Sequence, residues 1–503
     1  MPENYAIVKK AERFFFLENG KAQLMLGGEV HNFSASTVAS MAKNVWPYVV
    51  DIGLNTLLIP VYWEDIEKEP GVFTFDLIDD HLENAAKHQI KVIFLWFGLW
   101  KNGLSAYVPS WVKTNRSEYF HVVAQNYEPM NCISPFCEQA VTADCQALAQ
   151  FSQYLSQHPL KDQVCMLQLQ NEVGCLTKRD YSAAAQHVYQ AELPSAVKKL
   201  FPEASDWSEL TDEVFMAYGF SQALEKMAQT VKQSLALPLF TNAWVQKEGK
   251  QPGDYPSGGP TKHVLSIWQA LAPSLSALAP DVYEENYQEI INDYQVLSQP
   301  LLIPETRKDL KYISNSFYAF GRGALLYSPF GIEDIKKYEV EVIDEDYEFL
   351  KQLGLDKAAF NPAGSLPYLK QCYSIIDSVT PFLVDDTIQP IPFKKEGTAS
   401  FCHEDQEYRL TVKYLSTEAV DQLNSAGFFF KLQASYYFVG CNIAIFHEAV
   451  DPQRKSELLQ LEEGYFDNGQ WQVERVLNGD ERYMPYIGNR PKIIKLALYS
   501  YER

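Results

Sequence analysis

No apolar run in this chain comes near the length that a membrane-spanning helix needs. The longest, residues 92–100, falls far short of the 18 or so residues required and contains a glycine, so a membrane is not an expected partner. Basic charge is also scarce. Lys and Arg number 43 against 64 Asp and Glu, and the resulting net charge of −21 repels a phosphate backbone, which excludes nucleic acid as an expected partner. Cysteine is sparse, with eight in 503 residues, and the spacings show neither a disulfide framework nor a zinc-ligand pattern. Cys132 and Cys137 come closest, but no second Cys or His pair follows them at a useful distance. Several motifs are missing as well: a Gly-x-Gly-x-x-Gly turn after a strand, a phosphate loop, a His-Glu-x-x-His helix and a Gly-x-Ser-x-Gly elbow. Neither a cofactor nor a metal is therefore expected. The N-terminal stretch carries Glu3, Lys9, Lys10, Glu12 and Arg13 and has no apolar core before a cleavage site, which predicts a cytoplasmic protein or one whose signal has been removed. The acidic run 339–348 lacks the spacing of a calcium loop and reads as a solvated face.

What the chain has is a globular balance, 47% apolar and 21% charged, over a length that calls for more than one core. From about residue 22 to 383, short apolar runs alternate with segments of helical period. The runs are AQLMLGG, NTLLIPV, IKVIFLW, VCMLQL, LPLFTN, LSALAPD, PLLIP and GALLYS. Strands buried on both faces read as continuous apolar runs, and eight of them separated by helices predict a closed (β/α)8 TIM barrel over residues 1–385. Ser36-Thr37 is expected to cap the first barrel helix and Asp76 the second, and residues 365–382 are expected to form the eighth. The segment GKQPGDYPSGGP is long enough for a mobile lid. Beyond Pro390 the runs shorten, alternate and become rich in aromatics, which predicts an antiparallel β-sandwich over residues 386–503.

In such a barrel the polar residues just past each strand converge on one bowl. Here they are Glu29 and His31, Tyr62 and Trp63, Trp96 through Trp100 with Lys101 and Asn102, Asn171 and Glu172, Asn242 and Trp244, Tyr283, and Glu305 with Arg307. Aromatic faces accept the C–H face of a pyranose while carboxyl and amide groups bond its hydroxyls, so the inventory is that of a sugar site. Glu172 and Glu305 each follow an uninterrupted apolar strand, where a carboxylate is costly without a task or a partner. Glycoside hydrolysis needs two such groups, although Arg307 could equally pair with Glu305 as a structural ion pair.

The stretches GGEVHNF, LNTLLIPVYWEDIEKEPGVFTFD, LQLQNEVG and LLIPETRKD resemble the glycoside hydrolases of family 35, in a divergent bacterial branch with a small C-terminal β-domain. The resemblance implies a retaining, exo-acting β-galactosidase that takes a terminal β-linked galactose from a carbohydrate substrate. It assigns Glu172 as acid/base, Glu305 as nucleophile, Asn171 as donor to the sugar 2-hydroxyl and Tyr283 as the tyrosine beside the nucleophile. After strand three, where better-known members carry a sugar-binding glutamate, LWFGLWKNGLSAYVPSWV has no acid. Trp100 is then expected to stack on the glycone, and Lys101 or Asn102 to replace the acid, with Glu29, His31, Tyr62, Trp63 and Trp244 completing the sugar contacts. A β-glucosidase, a β-mannosidase, an α-L-arabinopyranosidase or an inactive carbohydrate-binding barrel would use the same frame, and a homo-oligomer is compatible with all of these.

Overall fold

The computed structural model describes residues 4–295, 298–338, 357–415 and 422–503. The acidic run 339–348 lies outside the described residues.

The chain opens with an antiparallel meander that the sequence reading missed: β1 (Tyr5–Lys10), β2 (Arg13–Glu18) and β3 (Lys21–Gln23). Asn19 and Gly20 both have positive φ, 50° and 79°, the two-residue turn that an Asn-Gly pair favours between β2 and β3. The run AQLMLGG is consequently split, and only β4 (Met25–Glu29) enters the barrel. Then come β5 (Thr56–Tyr62), β6 (Lys91–Lys101), the hairpin β7 (His121–Val123) and β8 (Pro129–Ile133), and β9 (Val164–Asn171). The remaining barrel strands are β10 (Leu239–Trp244), β11 (Ala277–Asp281), β12 (Leu301–Thr306) and β13 (Ala324–Pro329).

The eight barrel strands are hydrogen-bonded in the order β11-β10-β9-β6-β5-β4-β13-β12, and every pairing is parallel. Seven register pairs join β5 to β6. Between β12 and β11, the ends of that order, an isolated bridge joins Val282 to Thr306, and the Val282 amide donates to the Glu305 carbonyl at 2.9 Å. The sheet is thus a closed barrel. Its strands are buried along nearly their whole length, which is why each reads as an unbroken apolar run. At Gly28 even a Cβ would come within 2.4 Å of the Ile332 side chain, so β4 lies close against the segment that follows β13.

Thr37 caps the first helix by accepting from the Ser40 amide at 3.0 Å. That helix then widens into a π turn at Met41–Val45, just ahead of Pro47, which has no N–H to continue the α ladder. Asp76 is the first residue of the helix Asp76–His88 rather than its cap, which is Phe75. Among the described residues, no helix is long and apolar enough to cross a membrane.

The C-terminal strands are β14 (Ile391–Lys394), β15 (Ser400–Glu404), β16 (Tyr408–Tyr414), β17 (Ala426–Leu432) and β18 (Ser435–Cys441). They continue with β19 (Ile443–Ala449), β20 (Arg454–Asp467), β21 (Gln470–Val476), β22 (Tyr486–Ile487) and β23 (Lys492–Glu502). One sheet runs β14-β17-β18-β23-β20-β21 and a second β15-β16-β19-β22. Alternation along β17 sorts its three phenylalanines. Phe429 joins Leu410, Val412, Phe438 and Ile445 in the core between the two sheets, while Phe428 and Phe430 belong to the barrel's core. Phe430 stacks on Phe382 of the helix Ser365–Leu383 at 5.3 Å, and each such buried Phe contributes about 1.5–3 kcal/mol.

Candidate active site

Two left-handed residues end β9, Gln170 at φ 59° and Glu172 at φ 44°, a conformation that side chains other than glycine adopt only when their surroundings hold them there. The Gln170 amide is fixed by donation to Asp144 at 2.7 Å and by accepting from the Trp100 backbone N–H at 2.9 Å. The Glu172 backbone N–H donates to Asn242 Oδ1 at 2.9 Å. Just beyond, Cys175 exchanges backbone hydrogen bonds of 3.1 and 2.8 Å with Ser257. A Cβ on Gly174 would come within 2.6 Å of Pro256. The loop expected to be a mobile lid is therefore stitched onto the segment that carries Glu172, and its residues 255–260 are buried.

These anchors bring Glu172, Asp281 and Glu305 together at the mouth of the barrel, with one carboxyl oxygen of each within 4.8 Å of the other two. Glu172 and Glu305 are only 7% and 5% exposed. Asn242 on β10 is the hub. Its Nδ2 donates to Asp281 Oδ2 at 2.8 Å and to Glu305 Oε1 at 3.3 Å, while its oxygen holds the Glu172 backbone. The Tyr283 hydroxyl donates to Glu305 Oε2 at 3.0 Å, and its ring stacks on Phe360. The Asn171 amide is assigned with its oxygen 2.7 Å from Lys101 Nζ and its nitrogen 3.2 Å from Glu305 Oε1, because an ammonium demands an acceptor and a carboxylate a donor.

These environments separate the three acids. Burial and then the charge of Glu305 push Glu172 up to about 8. Asp281 is driven well above the usual carboxylate range, first by burial and then by Glu305 and Glu172. Burial raises Glu305 as well, but Lys101, Tyr283, Asn171 and Asn242 all pull it back down. Glu172 and Asp281 are thus raised chiefly by burial and by the charge of Glu305, whereas Glu305 is the member of the cluster that the surrounding donors favour as the carboxylate.

The structure corrects several expected sugar contacts. Trp100 is fully buried, donates to the Ile133 carbonyl at 2.9 Å and meets Phe220 edge-on at 5.0 Å, so it is a core residue with no face open to a glycone. The cause is the length of β6, whose residues are buried as far as Lys101. Trp63 is likewise buried, bonded to Glu67 at 2.8 Å, and Trp96 is buried against Asp144 at 2.7 Å. Tyr62 lies inside as well, donating to the Asn32 carbonyl at 2.5 Å. His31 is held by Asp334 at 2.6 Å, which also pairs with buried Lys308, so its ring is fixed as part of the wall. Lys101 is turned inward to Asn171 rather than outward, whereas Asn102, Trp244 and Tyr283 remain half-buried at the mouth. Arg307 directs its Nε to Asp309 at 2.7 Å and lies over Tyr312. Glu29 is wholly buried within electrostatic reach of Glu305, Lys101, Glu172 and Glu333. Asp281 was missed, although it is the last letter of the strand LSALAPD, and Asn242 was recognised only as a strand-end amide.

Truncating Trp100 to Ala is expected to cost about 3–5 kcal/mol of stability through the cavity left behind. It should leave the ratio of activities on sugars of different configuration unchanged. Urea denaturation and a substrate panel on the same variant measure both, and a changed ratio at full stability would return Trp100 to the site.

With this geometry in view, the chain can be set beside known proteins. Against curated protein sequences it finds no match. Among solved structures it is similar to a cold-adapted β-galactosidase of Rahnella sp. R3, at 15% identity over 72% of this chain and 57% of that one, with a TM-score of 0.49. It is also similar to a β-galactosidase of the psychrophile Marinomonas ef1, at 12% identity over 70% and 65% of the two chains (TM-score 0.41). A third is the exo-β-1,4-mannosidase Op5Man5 of Opitutaceae bacterium strain TAV5, at 13% identity over 76% and 63% (TM-score 0.45). The chain thus spans less than two thirds of the length of each. Residues 369–485 match a domain of unknown function, DUF5597. Family 35, expected from the sequence, is not supported; instead residues 43–207, which include Glu172 and stop before Glu305, are similar to the β-galactosidases of glycoside hydrolase family 42.

Proposed function

We propose that this chain is a retaining, exo-acting β-glycosidase that removes terminal β-linked galactose from oligosaccharides, with residues 1–385 as the catalytic unit and 386–503 as an accessory β-domain. One observation carries the reading. Glu172 and Glu305 meet at the ends of β9 and β12 with oxygens within 4.8 Å, in surroundings that raise Glu172 to about 8 and give Glu305 the donors that favour its carboxylate. Inverting enzymes hold their carboxyl groups about 6.5–9.5 Å apart to admit a water, whereas a nucleophile and an acid/base sit closer, about 5–5.5 Å. The match to family 42 over residues 43–207 supports galactose as the sugar.

In this reading Glu305, steadied by Tyr283, Asn242 and Asn171, attacks the anomeric carbon. Glu172 gives its proton to the departing oxygen. Forming the glycosyl ester removes the charge on Glu305, so the Glu172 carboxyl becomes more acidic. It can then act as the base that deprotonates a water, and the ester is cleaved with net retention.

The test is a panel of nitrophenyl β-galactoside, β-glucoside, β-mannoside and α-L-arabinopyranoside, with proton NMR of the first sugar released. Preference for galactoside and an initial β-anomer are expected. An α-anomer formed first from a β-glycoside would overturn retention, and release from none of the four would overturn the hydrolase reading in favour of a binding protein.

The pH dependence has a definite sign. Glu172 must be protonated in the free enzyme, and its pKa is raised to about 8, so kcat/KM should hold through neutral pH and fall as pH rises through about 8. Replacing Asp281 by Asn removes one of the buried carboxyl groups and should move that alkaline limb. A limb near the ordinary carboxylate range in the unaltered enzyme would take the acid role away from Glu172.

A further inference from the structure

Two strands from Glu305 around the ring, the end of β4 and the segment after β13 leave acceptor atoms without donors. Both carboxyl oxygens of Glu29 are buried and have no hydrogen-bond partner, and the residue is wholly inaccessible. Glu333, 3% exposed, spends Oε1 on the His31 amide at 3.1 Å and the Ser34 hydroxyl at 2.6 Å, yet its Oε2 is buried without a partner. Asn32 Oδ1, on the same loop, is the same. The two acids are neighbours, since the Ile332 amide donates to the Glu29 carbonyl at 2.9 Å and the charge of Glu333 bears on Glu29.

Buried polar atoms are nearly always paired, and each one left alone costs stability. Four such oxygens gathered where β4 and the segment after β13 meet would be satisfied by a ligand that brings donors. A pyranose presents hydroxyl groups as its donors, and a carboxyl group can take two neighbouring ones. Burial, followed by the charge of Glu305, raises the Glu29 carboxyl well above the usual carboxylate range.

We infer that Glu29, supported by Glu333 where β4 meets the segment after β13, is the specificity-determining residue that reads hydroxyl groups of the bound glycone. The inference rests on the hydrolase reading and adds to it which residue selects the sugar.

The experiment pairs variants with substrate analogues. Kinetics of the full-length protein, its Glu29→Leu variant and its Glu29→Gln variant are measured on nitrophenyl β-galactoside and on its 3-, 4- and 6-deoxy analogues. Each hydrogen bond to an acid of this kind corresponds to roughly a 10- to 100-fold effect. The expected result is that Glu29→Leu lowers kcat/KM on the parent sugar by at least that much, Glu29→Gln by less, and that the difference vanishes on the one or two analogues lacking the hydroxyl that Glu29 holds. Without sugar, Glu29→Leu should melt above the wild-type protein, because an unsatisfied buried acid has been removed. An equal loss on every analogue, or a lower melting temperature with Glu29→Leu and Glu29→Gln alike, would make Glu29 a structural residue and overturn the inference. Wild-type protein that cleaves none of the parent glycosides of any configuration would instead overturn the hydrolase reading, and this inference with it.

Discussion

Incubation with 2-deoxy-2-fluoro-β-galactosyl fluoride is expected to place a stable glycosyl ester on Glu305. The fluorine at C2 destabilises the oxocarbenium-like transition states of both steps, while the good leaving group still lets the first step proceed, so the ester accumulates. Mass spectrometry of the digested protein should find the label on the peptide containing Pro304-Glu305-Thr306. Removing the nucleophile by Glu305→Ala should lower kcat by roughly 10⁵-fold, the scale seen when a covalent catalyst loses its attacking group. Asn242 keeps its bonds to Asp281 and to the Glu172 backbone when Glu305 is truncated. A label on Asp281, which lies just as close, would overturn the assignment. Its surroundings argue against that outcome: burial and the charges of Glu305 and Glu172 raise Asp281 well above the carboxylate range and so disfavour the ionised, nucleophilic form.

The second large effect should follow from Glu172→Gln. Glutamine keeps the shape and the backbone bond to Asn242 but cannot give a proton, so substrates with poor leaving groups should lose about 10²- to 10⁴-fold in kcat/KM. Aryl glycosides that leave as stable phenolates need little protonation and should lose far less in that parameter, although their second step will slow for want of a base. Equal losses on alkyl and activated aryl glycosides would remove Glu172 from the acid role. A companion measurement follows from the charge coupling. Because Glu305 is the second cause of the raised pKa of Glu172, trapping Glu305 as an ester should lower that pKa. Titration of Glu172 in free and trapped protein would show no difference if the two acids were independent.

The barrel was legible because strands buried on both faces carry no alternation, and each of the eight runs stands between helical segments and turn residues. The meander β1–β3 was less so, since its Asn19-Gly20 turn sits close to the start of AQLMLGG and merges with it on the page. The tryptophans were misplaced for a related reason. A sequence shows where an apolar run begins more clearly than where a strand stops being covered, and β6 stays covered past Trp96 and Trp100. Glu172 and Glu305 stood out as charges abutting apolar strands. Asp281 closes the run LSALAPD, but the residue singled out beyond that strand was Tyr283, and only the fold shows that β11 carries Asp281 into the bowl. The unsatisfied oxygens of Glu29 and Glu333 have no sequence signal at all, since they depend on which neighbours are absent in three dimensions.

The seam of the barrel has a consequence for how the site comes into being. Among the described residues, β11 and β12 are joined by the isolated Val282–Thr306 bridge, against seven register pairs between β5 and β6. Val282 donates to the carbonyl of Glu305 itself, and Thr306 returns a bond to the Val282 carbonyl at 2.8 Å. The least cross-linked joint of the ring therefore lies between Tyr283 and the carboxylate it orients. This joint is not where the ring closes in chain order, which is between β4 and β13; β11 and β12 are consecutive barrel strands, so Glu305 receives its tyrosine from the strand just before its own. The same joint is where a local opening, short of unfolding, would take the pair apart while the rest of the barrel stands.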